Sequence, residues 1–356
     1  MLSSQTLLIK DILIDAIKIG AADLHFSVGN KPVYKINGKW VIMEEREIID
    51  QDFISNLSMS LLDQAQQEKL KQNKEIFFSY DFERDLRFKI NVFYQRGFLS
   101  ATFRHIPMKI PTIDGLGLNP IIKKIADYKK GLILISGPFG SGRSSTAAAI
   151  IEEINLKRKQ YIITIEQPIE YIFTNKESII EQREVGIDTN SFEDALKYFQ
   201  EEDGDILFLE AVPDIKLWPL VLEIANGSAL VITTINSDTS SGAISSVVDG
   251  FSSLDQARIR DLLSNALKAV ICQKTLPRVG GGSIAAQEIL MANDAIKSSI
   301  KSGNLNQIQN VMQLSKKDGM VTFDFNLAEL ARNRRINTDD ALSNATDKKL
   351  LESLLQ

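Results

Sequence analysis

The chain is poor in the residues that staple small folds and hold metals. Its single cysteine, Cys272, excludes an intrachain disulfide framework and any multi-cysteine zinc site. Its two histidines, His25 and His105, both lie in the first third. No histidine-based triad or His-rich metal site can therefore be built from the chain downstream of His105. No apolar run approaches the roughly 18 residues a membrane span needs. A large excess of charge of one sign is missing too. The 41 basic and 46 acidic side chains leave a net charge of -5, which argues against general binding to nucleic acid or membrane surfaces. There is no internal repeat and no low-complexity tract.

What is present is ordinary globular material. At roughly 150 residues per domain, 356 residues suggest two domains. A composition of 44% hydrophobic and 24% charged residues excludes wholesale disorder. The first twenty residues are not a signal peptide: Lys10 and Asp11 interrupt the apolar stretch, and Ile9, Ile12, Leu13, Ala16 and Ile17 have helical spacing. The expected compartment is the cytoplasm.

Residues 1–106 read as a small α+β domain. A helix comes first, then short β-like runs such as Val33 to Gly38, and a polar helix from about Asp52 to Gln72. Two alternating strands follow, near Leu86–Tyr94 and Leu99–His105, joined by the turn residues Arg96 and Gly97. Residues 107–117, rich in proline and glycine, are expected to be a linker. From 118 to 356, helical patterns alternate with apolar runs at 132–136, 161–166, 205–210 and 229–235, the pattern of buried parallel strands in an α/β sheet. The last stretch of about 85 residues reads as mainly helical. Gly280, Gly281 and Gly282 mark an exposed turn.

The strongest local signal is ISGPFGSGRSST, residues 135–146. A strand runs into a glycine-rich loop and then into an alanine-rich helix, which is the context of a phosphate-binding loop. Gly137, Gly140 and Gly142 let the backbone curl so that N–H groups, with those of Ser141, Ser144 and Ser145, face phosphate oxygens at a helix N-terminus. Ser144 stands where a hydroxyl would ligate Mg²⁺. The pattern GxxxxGK[ST] fails at one place: Arg143 replaces the lysine. Guanidinium is broader and planar, with donors in a fixed fork, whereas the lysine ammonium is compact. The residues leave open whether the loop still binds nucleotide.

Several segments in order carry a resemblance. They are ADLHFSVGNKP (22–32), RFKINVFYQRG (87–97), FRHIP (103–107), the loop itself, IITIEQPIEY (162–171), IIEQREVGIDTNSF (179–192) and GMVTFDFNLAEL (319–330). Together they resemble the hexameric ATPases that power type IV pili and type II secretion, closest to the pilus-retraction branch of PilT and PilU. The resemblance runs from about residue 5 to 345. It implies a PAS-like α+β N-terminal domain and a RecA-like P-loop core with C-terminal helices. It also implies ATP with Mg²⁺ as ligand, a hexameric ring made with copies of itself or with a competent PilT-like ATPase, and a pilus inner-membrane platform protein as partner. Nucleic acid is not among the implied partners. The implied place is cytoplasmic, peripheral to the inner membrane at the pilus base.

The family's catalytic positions are largely replaced. Besides Arg143, the aspartate after Glu166 is Gln167, and an amide cannot accept a proton or hold a metal as a carboxylate does. In DGDILFLEAVPD (203–214), Ala211 stands for the water-activating glutamate and Pro213 for an arginine. Glu210 is one position early on a strand, which turns it to the opposite face unless the strand carries a bulge. In SALVITTINS (228–237), Ala229 and Asn236 replace two histidines. Glu201 replaces an arginine. Glu166 and Glu210 are the only carboxylate candidates left for catalysis. The resemblance retains Arg87, Arg96 and Arg104, with Lys89 for another arginine, as groups that reach a nucleotide on an adjacent subunit. On their own these residues read as solvated strand charges.

Other residues carry plainer readings. Asp23 and His25 are expected to hold the first domain together, Cys272 to be a buried small hydrophobe, and Pro219 to sit in the first turn of a helix. Glu201, Glu202, Asp203 and Asp205 read as a solvated charge run. Three functions stay open: a non-catalytic pseudo-ATPase that modulates or couples retraction, a slow or partner-dependent ATPase, and a nucleotide-binding switch without hydrolysis.

Overall fold

A computed structural model describes residues 4–36, 39–83 and 86–356. The chain divides into two compact units, Met1–Lys109 with Gln167–Ile172, and Ile110–Glu166 with Phe173–Gln356.

The first unit is built on an antiparallel sheet. Its strands are β1 (Ala21–Ser27), β2 (Val33–Ile36), β3 (Lys39–Ile42), β4 (Glu75–Glu83), β5 (Leu86–Gln95) and β6 (Phe98–Ile106), in the order β3-β2-β1-β6-β5-β4. Alternation decides its two faces. Leu24, Phe26, Phe88, Ile90 and Phe103 point into the core with Leu57 and Leu70 of the helices Gln51–Leu61 and Gln64–Asn73. Phe26, Phe82, Phe88 and Phe103 meet there with ring centroids 5.3–6.4 Å apart, mostly edge to face. Asp23, Lys89 and Arg104 project from the other face.

The expected polar helix over 52–72 is two helices. Asp63 separates them with a capping box: its carboxylate accepts from Gln66 N at 2.8 Å, and Gln66 Oε1 accepts from Asp63 N at 3.0 Å. Arg96 (φ 52°) and Gly97 (φ 87°) form the two-residue β5–β6 hairpin, whose positive φ values suit the twist of the strands. The β-like run expected over 33–38 gives β2; Asn37 and Gly38 lie outside the described residues.

The second unit carries the sheet β13-β12-β7-β11-β10-β8-β9. The strands are β7 (Gly131–Ser136), β8 (Tyr161–Glu166), β9 (Ile179–Glu184), β10 (Ile206–Leu209), β11 (Leu230–Ile235), β12 (Leu267–Pro277) and β13 (Ser283–Met291). All neighbours run parallel except β12 and β13. Ile133, Ile135, Ile162, Phe208 and Ile232 pack under the helices Ile121–Ala126 and Arg143–Lys157. Leu132, Leu134, Ile163, Leu207 and Val231 face the helices Phe192–Glu201, Trp218–Asn226, Ser240–Val248 and Ser253–Ala266. Helices on both faces explain why these strands are continuously apolar. This is the expected α/β core, and Pro219 opens the helix Trp218–Asn226.

The tail is mainly helical, as its pattern reads, but β12 and β13 lie at its start. They form a hairpin whose turn holds Gly280, Gly281 and Gly282 at φ 89°, 104° and 76°. Strand β12 extends the sheet beside β7, and Phe323, Leu327 and Leu351 of the last helices pack on Leu276 and Ile284 of the hairpin.

Candidate functional site

Strand β7 delivers the glycine-rich loop to the carboxyl edge of the sheet, the edge at which parallel α/β sheets present ligand sites. Gly137 (φ 151°) makes the departure from the strand. A Cβ there would meet Gln273 O at 2.3 Å and Ser141 Oγ at 2.4 Å, so only glycine fits. Gly140 turns at φ 80° with open space around it. Gly142 is the left-handed N-cap (φ 85°) of the helix Arg143–Lys157. Having no side chain, it closes the helix start with none, and backbone N–H groups at such a start attract anions. Arg143, Ser144 and Ser145 are half-buried in that first turn, and Ser141 is buried. Among the described residues, Ser141 Oγ has no hydrogen-bond partner.

The loop is held from below by β12, whose role the sequence reading missed. Gln273, 1% exposed, accepts from Thr146 Oγ1 at 2.9 Å and donates its amide to Ser141 O at 2.7 Å. Thr275 Oγ1 reaches Gly140 O at 3.3 Å. The signal was an apolar run ending in a polar residue beside a strand edge, but it lay in a stretch read as helical.

The remaining candidate residues are spread along the same edge. Glu166 ends β8, is buried, and accepts from Thr164 Oγ1 at 2.7 Å and Gln182 Nε2 at 3.2 Å. Gln167 follows it, exposed, at a cis peptide bond to Pro168. Strand β10 is regular against both neighbours through Leu209, so no bulge shifts Glu210. Glu210 begins the bend after the strand, with its N–H on Ile165 O (3.1 Å) and its carbonyl accepting from Thr234 Oγ1 (2.7 Å). Ala211 and Pro213 are exposed beyond it. Asn236 is exposed just after β11, beside Ser237, whose carbonyl accepts from Ser136 Oγ at 2.6 Å.

Ala229 stands apart from these positions. It precedes β11 at the amino edge, 3% exposed in the core, and its carbonyl accepts from Gly131 N at 3.0 Å. The six residues of β11 put it about 20 Å from the loop edge at roughly 3.3 Å each. Ala229 therefore lies in the core, away from the phosphate loop.

Three of the four basic candidates of the first unit, Arg87, Lys89 and Arg104, are engaged within that unit. Arg87, 7% exposed, pairs with Asp81 at 2.7 Å and donates to Ile169 O at 2.9 Å and Glu170 O at 3.2 Å. Lys89 pairs with Glu170 at 2.8 Å, and Ser79 Oγ donates to Ile169 O at 2.9 Å. These bonds strap Gln167–Ile172 onto β4 and β5. Arg104 forks onto Asp23 at 2.6 and 3.2 Å. Arg96 is exposed at the hairpin tip. Asp205 is used structurally, accepting from Tyr161 N at 2.9 Å, while the Tyr161 hydroxyl donates to Glu181 at 2.8 Å. Burial, and next the Glu288 charge, push the Cys272 thiol up to about 12.

Among the described residues no helix is long and apolar enough to cross a membrane. A family model described as type II/IV secretion system protein matches residues 3–354. The type IV pilus retraction ATPase PilT of Pseudomonas aeruginosa is 32% identical over 341 residues, spanning 95% of this chain and 98% of its own. The type IV pilus ATPase PilU of the same organism is 30% identical over 338 residues, spanning 95% and 88%. A crystal structure of the pilus retraction motor PilT with bound ADP superposes with a TM-score of 0.83 at 36% identity, covering 96% of this chain and 98% of that one. The chain belongs to the type II/IV secretion system protein family, as a PilT/PilU-like member of the type IV pilus motors.

Proposed function

We propose that the chain is a non-catalytic, pseudo-ATPase subunit of a type IV pilus motor, which holds a nucleotide and modulates or couples retraction by a competent ATPase. The observation that carries this reading is a contrast. The phosphate loop keeps its glycine geometry and its support from β12, while the positions that would move a proton from water hold an exposed amide at Gln167 and a methyl group at Ala211.

The loop suits phosphate: glycine at φ 151° and 85°, a helix start closed by no side chain, and the buried unpartnered Ser141 hydroxyl all favour an anion. Gly137, Gly140, Ser141, Gly142, Ser144 and Ser145 would hold the phosphates of ATP or ADP, with Arg143 supplying charge. Ser144 would ligate Mg²⁺, which when bound neutralises phosphate charge. PilT itself binds ADP, which supports the same ligand here. Loss of a general base costs on the order of 10²–10⁴ in rate, and loss of charge-stabilising groups on the order of 10³–10⁵. These losses do not add, because such residues act as a unit.

The partners in this reading are further copies of the chain or a PilT-like ATPase in a hexameric ring, and the platform protein of the pilus base, at the cytoplasmic face of the inner membrane. Arg96, exposed at a hairpin tip, is the basic residue best suited to reach a neighbour's nucleotide. Arg87 and Arg104 would first have to leave Asp81 and Asp23.

The test is Mg-ATP binding and turnover by the purified chain, beside Arg143→Lys, with and without a competent PilT-like ATPase. Binding with no turnover alone, and changed turnover or ring composition in the mixture, is the expected result. Turnover by the chain alone at the rate of the competent ATPase would overturn it. A second reading, a slow or partner-dependent ATPase, is favoured by Glu166, retained and oriented by Thr164 and Gln182. It requires that Glu166→Gln abolish whatever turnover is measured.

A further inference from the structure

We infer that Gln273 is a positioning residue for the phosphate loop: one buried amide that fixes the geometry of the anion site without touching the anion. Its two hydrogen bonds end on Ser141 O and Thr146 Oγ1. Those atoms bracket Gly142, Arg143, Ser144 and Ser145, the residues whose backbone would meet a phosphate. One side chain therefore pins Ser141 of the loop and the first full turn of the helix to the same strand.

The arrangement uses both ends of the amide. Oε1 accepts from the threonine hydroxyl and Nε2 donates to the serine carbonyl, so no residue with a single type of polar atom can replace it. The strand backbone takes part as well. Gln273 O lies 2.3 Å from where a Cβ of Gly137 would be, so β12 and the loop are in contact at both ends of the turn. All three side chains are buried, Gln273 at 1%, Thr146 at 1% and Ser141 at 2%. Breaking the clasp would leave a carbonyl and a hydroxyl without partners and without water, which is costly. Residues 137–146 would then sample other shapes, and a loop that samples other shapes binds an anion more weakly in proportion to its competent fraction.

This assignment rests on the nucleotide reading only for its second readout. The experiment uses the full chain and the variants Gln273→Met, which fills the space but makes neither bond, and Thr146→Val, which removes one bond with little change in volume. The first readout is amide exchange over residues 137–146 in the absence of nucleotide. The second is equilibrium binding of Mg-ADP, in the native chain and in Arg143→Lys. Gln273→Met should speed exchange across the loop by about tenfold or more, with β7 amides unchanged, and Thr146→Val should act in the same direction by less. Mg-ADP affinity should fall by a similar factor, about tenfold, in whichever background binds. Exchange within about twofold of native in both variants would overturn the assignment, as would unchanged exchange in Thr146→Val if Gln273→Met fails to fold. If no background binds Mg-ADP while loop exchange still responds, the nucleotide reading fails and the role of Gln273 in shaping the loop stands.

Discussion

Arg87 and Arg104 carry the same charge on neighbouring strands, and their surroundings give them different energetic weight. Arg87 is buried and spends its guanidinium on Asp81 and two carbonyls of the strap. Removing it leaves those acceptors short of donors, a loss on the order of 3 kcal/mol. Arg104 is 39% exposed and its fork onto Asp23 is open to water on one side, so Arg104→Ala should cost about 1 kcal/mol. Hydrogen exchange across β4–β6 in increasing urea would rank the two; equal losses would contradict the assignment of Arg87 as a clamp. Cys272 gives a second expectation at this scale. With its thiol raised by burial, it should resist alkylation at pH 8 in the native chain and react once the chain unfolds, as read by mass spectrometry. The charge of Arg87 was legible in the sequence, but its partners were not. Ile169 and Glu170 come some eighty residues later, and nothing local announces such a pairing.

The loop and the hairpin beneath it differ in how they are written into the chain. The loop depends on glycines whose conformations are needed locally, so spacing alone exposed it. Gly137 and Gly140 are nevertheless unequal. Gly137→Ala would drive a Cβ into backbone at 2.3 Å, and should cost well over about 2 kcal/mol and abolish nucleotide binding. Gly140→Ala meets nothing within 4 Å and pays only for its positive φ, about 1 kcal/mol. Thermal unfolding of both variants, with Mg-ADP titration, checks the ranking. Strand β12 was illegible for a physical reason. The helix Ser253–Ala266 passes into β12 at Leu267 with no glycine or proline between them, so no breaker marks the change of period. Strand β9, IIEQRE, was missed because an edge strand with polar residues lacks the buried run that revealed its neighbours.

At the scale of the whole molecule, the four central parallel strands β7, β8, β10 and β11 and the β5–β6 hairpin followed from pattern, because continuous apolar runs and alternating ones report burial on two faces or one. Sequence pattern presents each unit as one stretch of chain, whereas Gln167–Ile172 packs with the first unit. The uneven spread of histidine has a consequence at this scale. Both histidines belong to the first unit, and burial lowers the pKa of each below the ordinary 6.5, with His25 set beside Trp40 and Phe93 and His105 beside Phe88. A histidine whose folded pKa is depressed binds its proton more readily when unfolded. Its stabilising contribution is fully present above the unfolded value near 6.5 and is lost as pH falls through that value toward the lower folded one. Between pH 7.5 and 5.5 the first unit should therefore lose stability while the second, which has no histidine, changes little. Hydrogen exchange read separately on β1–β6 and on β7–β13 resolves the two. His25→Phe with His105→Phe should flatten the response of the first unit, since a neutral ring of similar size has no proton to gain. An equal pH response in both units, or one that survives the double substitution, would assign the effect to carboxylates instead.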